Sequence, residues 1–159
     1  MINLRKVENE EKGLLFNYVQ KYLYEMTFYY EDDMDDEGNY QYEYFENYFV
    51  DEDRHALFIT FNEEIVGFVM VNKHSIMNID IDYAIAEFTI FPVFRKNHIA
   101  SEVMKMLFKV YQGKWEIKYS KKNEIGMKLW RNVTIEYNPE IYSLCDEEAL
   151  VFDTQRKYM

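Results

Sequence analysis

The sequence holds one cysteine, two prolines and five glycines in 159 residues, and each shortage excludes something. Cys145 alone cannot close an internal disulfide, which argues for a reducing cytoplasm and against a disulfide-stapled secreted scaffold. No recognisable base partner accompanies it, so it reads as a structural or free thiol rather than a nucleophile. The chain contains no Pro/Gly/Ser linker, repeat or low-complexity tract, and a single domain over residues 1–159 is expected. His55, His74 and His98 share no metal-ligand spacing, so no metal is expected. No apolar run approaches transmembrane length, and the opening residues 1–10 lack the apolar core expected of a signal peptide. Positive charge is also short: 18 Lys and Arg against 29 Asp and Glu leave a net charge of −11. A surface this acidic speaks against nucleic acid and against anionic membranes as partners. It suits a small-molecule amine, a polyamine or a basic peptide, although acidity also serves solubility alone.

Apolar and aromatic residues are plentiful. Apolar content is 48%, with 15 Tyr and 12 Phe, enough for a packed core, and the aromatic surplus is compatible with a homodimer. Residues 2–7 alternate as a strand, and Leu15, Tyr18, Val19, Tyr22, Leu23 and Met26 recur at helical spacing, giving an amphipathic helix over about 9–27. The acidic run 31–37 ends at Gly38, and Tyr40 to Val50 reads as a short second helix. Ala56–Phe61 and Ile65–Asn72 are strands joined at Asn62-Glu63-Glu64, and Tyr83–Phe91 is a strand stopped by Pro92. Ile99, Val103, Met106, Leu107 and Val110 form the stripe of another helix, Gly113 suits its end, and Lys114–Ser120 alternates as a strand. Residues 83–120 are therefore a β-α-β unit with parallel strands and a right-handed crossover. A last helix over Asn123 to about Asn132 and closing strands at Val133–Tyr137 and Ala149–Thr154 complete the order β-α-α-β-β-β-α-β-α-β-β. The expected class is α/β, a mixed sheet with helices on its faces.

The stretch Glu87 to Ala100 carries the most chemistry. A strand runs through Arg95 and Lys96 into a helix that opens near His98. Free N–H groups and the helix dipole there, with two cations, can cradle phosphates; the bland alternative is an ordinary strand–loop–helix corner.

These elements and residues resemble the GNAT superfamily of acyl-CoA-dependent N-acyltransferases over nearly the whole chain. Arg95-Lys96-Asn97-His98-Ile99-Ala100 is similar to the family's Arg/Gln-x-x-Gly-x-Gly/Ala, with His98 where the first glycine is usual. Phe88-Thr89-Ile90-Phe91-Pro92, Ile65-Val66-Gly67-Phe68 and Asn123-x-x-Gly126-x-x-Leu129-Trp130 resemble further family motifs. Together with Gly113-Lys114-Trp115-Glu116 they suggest a small bacterial branch of predicted acetyltransferases. The resemblance implies a mixed sheet of six to seven strands flanked by about four helices, splayed between the fourth and fifth strands. It implies acetyl-CoA as the acyl donor, with pantetheine on Phe88, Thr89 and Ile90. The diphosphate would lie on Arg95, Lys96, Asn97, His98, Ile99, Ala100 and Ser101, with Asn123 reaching the cofactor or simply capping its helix. The expected activity is direct acetyl transfer to a primary amine. A non-catalytic acyl-CoA-binding or protein-interaction module on the same fold is the alternative.

An alkylamine must lose a proton before it attacks a thioester, and Glu87 on the donor-binding strand is the candidate base, with a structural or exposed carboxylate as the alternative; Asp80 and Asp82 are in reserve, or mark the strand entry or substrate charge. Trp130 stands where many members carry a tyrosine that protonates the departing thiolate, and indole is not a practical acid. Tyr119 and Tyr137 are candidate substitutes, although with fifteen tyrosines a structural role is the alternative for each. Tyr29, Tyr30, Tyr40 and Tyr42, beside the acidic run, would wall a substrate pocket or merely pack.

Overall fold

The computed structural model describes residues 1–156. Seven strands form one sheet: β1 Ile2–Lys6, β2 His55–Phe61, β3 Glu64–Asn72, β4 Tyr83–Ile90, β5 Lys114–Ser120, β6 Glu140–Ser143 and β7 Glu147–Asp153. Three α-helices accompany them, α1 Lys12–Met26, α2 Ile99–Val110 and α3 Glu124–Thr134. The sheet order is β1-β2-β3-β4-β5-β7-β6, antiparallel throughout except for the parallel pair β4–β5.

Alternation along the strands sorts the core into two layers. In β2, Leu57 and Ile59 point to the face covered by α2 and α3, whereas Ala56 and Phe58 point to the face covered by α1. α2 lays Ile99, Val103, Met104, Leu107 and Phe108 on the first face; Ile99, Val103 and Leu107 belong to the expected stripe, whereas Val110, expected there too, is exposed, because the buried face is turned toward Met104 and Phe108. α1 and the segment around Phe45 and Tyr48 fill the second. Asn62 and Glu63, both with positive φ, turn β2 into β3 as a two-residue hairpin.

Two expected elements are different in the structure. Residues 40–50 form no α-helix; only the 3-10 turn Glu46–Phe49 survives, so the flanking helices number three rather than about four. The run is rich in aromatics, which favour helix weakly, and its start is held open. The Gln20 side chain grips the Tyr40 backbone at both ends, donating to its carbonyl at 2.8 Å and accepting from its N–H at 2.6 Å. The expected strand at 133–137 is instead the end of α3 and the 3-10 turn Ile135–Tyr137. Tyr137 is buried there and stacks on Phe152 at 5.7 Å. The strand that pairs with β7 lies later, at β6.

One irregularity in β4 sets which face its side chains take. Met70 pairs with Glu87 and Val71 with Ile85, so Ala86 is an extra residue opposite β3. Without this bulge, Ile85 and Phe88 would point to opposite faces. With it both face α2, and Ala86 with Glu87 turns toward α1.

Candidate active site

β4 and β5 pair only at Tyr83 with Trp115 and Ala84 with Glu116. Asp82 ties this root: its N–H donates to the Lys114 carbonyl at 2.9 Å and its Oδ2 accepts from the Lys114 N–H at 2.8 Å. Beyond Ala84 the strands part. On the other edge of β4, the Phe91 N–H bonds the Val66 carbonyl of β3. By alternation the backbone groups of Phe88 and Ile90 face the gap, while those of Thr89 face β3. The gap is the splay that the resemblance implies.

At its far end, residues 91–98 lead into α2. Arg95 carries a dense set of bonds: Nε to the Ile90 carbonyl at 2.6 Å, Nη2 to Thr89 Oγ1 at 3.1 Å, and both terminal nitrogens to Glu25 at 2.7 and 2.8 Å. Lys96, Asn97 and His98 are exposed, and Lys96 and His98 have positive φ, 68° and 60°. That conformation costs a non-glycine residue about 1–2 kcal/mol, which explains why glycine is usual at the position of His98. Left-handed His98 followed by helical Ile99 curls backbone N–H groups into a concave nest. No side chain caps α2, so the N–H groups of Ile99, Ala100 and Ser101 lack intrahelical acceptors and face outward.

On the α1 face, a cleft of about 340 Å³ opens beside Glu87 and is lined by Tyr42, Tyr48, Arg54, Asn72 and Lys118 among others. The Tyr42 hydroxyl donates to Glu87 Oε2 at 2.7 Å. Burial raises the Glu87 pKa above the ordinary glutamate value, and the nearby charge of Asp32 adds to this; the Tyr42 and Tyr22 hydroxyls and the Lys118 ammonium oppose it. Lys118 lies 3.6 Å from Glu147, whose other contact is the Tyr30 hydroxyl at 2.7 Å. The carboxylates of Glu87 and Glu147, the Lys118 ammonium and the phenols of Tyr22, Tyr30, Tyr42 and Tyr48 therefore gather on one side of the gap. Tyr42 lines this cleft, Tyr30 is tied to Glu147, Tyr40 is buried, and Asp32 brings the acidic run within electrostatic reach of Glu87.

The remaining predicted residues lie elsewhere. Tyr119 is buried on the opposite face, donating to Glu148 at 2.8 Å and accepting from Arg131 at 3.2 Å, and burial raises its pKa. Asn123 caps α3 by accepting from the Gly126 N–H at 2.9 Å. A Cβ at residue 126 would sit 2.6 Å from the Asn123 amide nitrogen, so a larger residue there would have to shift the capping side chain. Trp130 is 7% exposed and meets Phe88 edge-on at 5.4 Å, bridging α3 to β4 under the gap. Asp80 and Cys145 are exposed. Among the described residues no group of three or more His, Cys, Asp or Glu side chains could hold a metal. No helix among them is long and apolar enough to cross a membrane.

The sequence signals missed Lys118, Glu147 and Tyr22. Lys118 shared the strand pattern of β5, but its partner across the sheet is fixed only by the order β5–β7–β6.

The chain is a mixed α/β unit whose sheet is opened between two parallel strands, with an uncapped helix N-terminus at the end of the opening. Residues 19–132 match the acetyltransferase (GNAT) family, and the chain belongs to that family. No curated protein matches its sequence. Among solved structures, it is similar to spermidine N-acetyltransferase from Vibrio cholerae, solved with CoA and spermine, at 11% identity and a TM-score of 0.69 over 97% of this chain and 96% of that one. It resembles NAA60 from Arabidopsis thaliana, solved with acetyl-CoA, at 14% identity and a TM-score of 0.65 over 98% and 100% of the two chains. The aminoglycoside acetyltransferase AAC(6')-Ib, solved with coenzyme A, is similar at 10% identity and a TM-score of 0.71 over 98% and 96%. At these identities the likeness is one of fold.

Proposed function

We propose that residues 1–159 form a single-domain cytoplasmic N-acetyltransferase that moves an acetyl group from acetyl-CoA directly to a primary amine of a cationic small molecule or basic peptide. The observation that carries this reading is the β4–β5 gap, with a buried carboxylate on one face and outward N–H groups at its end. The residues fit the donor. Phe88 and the N–H of Ile90 offer backbone groups on the gap side to the pantetheine amides, as a neighbouring strand would, while the Ile90 carbonyl is already held by Arg95. The first turn of α2, Ile99 to Ser101, with Lys96, Asn97 and His98 before it and Arg95 at its root, suits the diphosphate. Glu87 takes the proton that the ammonium must lose, and a β4 N–H meets the oxygen on which negative charge develops. Tyr30, Asp32 and Glu147 give a cationic acceptor favourable surroundings, as does the net charge of −11.

The test is binding followed by turnover. Desulfo-CoA at a hundredfold excess over its Kd should raise the Tm by about 5–10 °C, from about 2.7 kcal/mol of linkage. Acetyl-CoA should then be consumed with members of an amine panel that includes spermine. A shift without turnover on any amine favours the binding module; the absence of a shift removes the donor assignment. Lys96→Glu places a repelling carboxylate at the α2 N-terminus. It should raise the KM for acetyl-CoA about tenfold and leave that of the amine unchanged. Equal damage to both would show that the loop serves the fold.

The non-catalytic reading draws on one observation. Trp130 occupies the place of the family's acid, and Tyr119 is committed to Glu148 and Arg131. Trp130→Tyr is expected to leave kcat unchanged or lower it. The CoA thiolate leaves near its own thiol pKa and can be protonated by solvent, while the indole packs on Phe88. A tenfold rise in kcat in a stably folded variant would show that the missing acid limits turnover.

A further inference from the structure

Glu25 stands where helix physics disfavours it. It is the second-last residue of α1, and a carboxylate in a last turn opposes the helix dipole; no basic residue offsets it there. Its partner comes from 70 positions further along the chain. Arg95 meets it with a two-pronged contact, Nη1 to Oε2 at 2.7 Å and Nη2 to Oε1 at 2.8 Å. The same guanidinium donates through Nε to the Ile90 carbonyl at 2.6 Å and through Nη2 to Thr89 Oγ1 at 3.1 Å. The Arg95 backbone N–H is spent as well, on the Pro92 carbonyl at 3.2 Å.

Arg95 thus joins three pieces that sequence separates: the end of α1, the last two residues of β4, and the turn that opens α2. Two of these pieces bound the proposed donor site. Ile90 is one of the two residues whose backbone faces the gap, and the turn that Arg95 begins carries Lys96 and His98 in left-handed conformations. Such a turn holds its shape only if its ends are fixed.

We propose that Glu25 is a positioning residue for acetyl-CoA, acting through Arg95, and that the Arg95 guanidinium serves as a structural clamp rather than as a phosphate ligand. This rests on the donor reading above. The diphosphate then falls to Lys96 and the backbone N–H groups of the α2 turn. Planar, forked geometry is what a clamp between a carboxylate and a carbonyl requires, and lysine cannot reproduce it.

The two roles for Arg95 give opposite outcomes. If its guanidinium binds phosphate and Glu25 merely holds it back, Glu25→Gln frees a cation and tightens desulfo-CoA binding. If it is a clamp, Glu25→Gln loosens the turn and weakens binding about tenfold. Arg95→Lys extends the test, since lysine keeps a charge for phosphate but loses the fork. The clamp predicts that it weakens binding as much as Glu25→Gln, and that the double variant is little worse than either single one. Calorimetry with desulfo-CoA reads the affinities, and the amine KM, expected to stay unchanged, separates loss of positioning from general misfolding. Unchanged or tighter binding by Glu25→Gln, or wild-type affinity in Arg95→Lys, overturns the clamp while the donor reading stands. Failure of the wild-type protein to bind desulfo-CoA overturns both.

Discussion

Glu87→Gln is expected to lower kcat by about 10²–10⁴ with acetyl-CoA affinity nearly intact, because glutamine keeps the shape of the side chain and cannot take the proton. The loss should shrink at high pH, where more of the amine is already neutral. The wild-type profile carries a second signature. A general base works deprotonated, so protonating Glu87 abolishes its contribution. Burial holds its pKa above the ordinary glutamate value, and the acid limb of kcat/KM should therefore lie above the pH at which a solvated glutamate titrates. Lys118 opposes that rise, so Lys118→Met should move the limb to still higher pH. A pH-independent loss of less than twofold in Glu87→Gln would make Glu87 structural. The substitutes named from sequence are poorly placed: Asp82 is bound to the Lys114 N–H at the root of the two strands, and Asp80 is exposed.

The legibility of this chain followed the range of the forces involved. β5 was readable to the residue, and α2 to within one, because their apolar periods are local and strong. The 40–50 segment misled because its spacing is helical while the decisive contacts, Gln20 on the Tyr40 backbone and Tyr42 on Glu87, come from distant residues. The same limit applied to the site. Glu87 was visible as a carboxylate on an apolar strand, but the bulge at Ala86 that sets its direction depends on register with β3. The Arg95–Glu25 pair spans 70 positions, and nothing local marks it beyond an acidic residue at the wrong end of a helix.

Gly67→Ala is expected to be among the most damaging single substitutions, although it adds only a methyl group. Gly67 lies on β3 opposite Ile90, and a Cβ there would sit 2.2 Å from the Thr89 carbonyl oxygen and 3.1 Å from the Ile90 Cα. These are backbone atoms, so no rotamer relieves the contact and β3 must separate from the end of β4. Overpacking of this kind costs about 3 kcal/mol, which in a domain of this size lowers the Tm by about 6–12 °C. The displaced residues include Ile90, whose backbone faces the gap and whose carbonyl Arg95 holds, so the KM for acetyl-CoA should rise in the fraction that remains folded. Gly13→Ala is the matched control. Gly13 lies within α1, a Cβ there meets nothing within 4 Å, and the change should stabilise the helix by about 0.5–1 kcal/mol. Thermal unfolding of the two variants should therefore move in opposite directions. An unchanged Tm in Gly67→Ala would mean that β3 and β4 can part at Thr89 without penalty, and that the end of β4 is not the rigid support which the donor site requires.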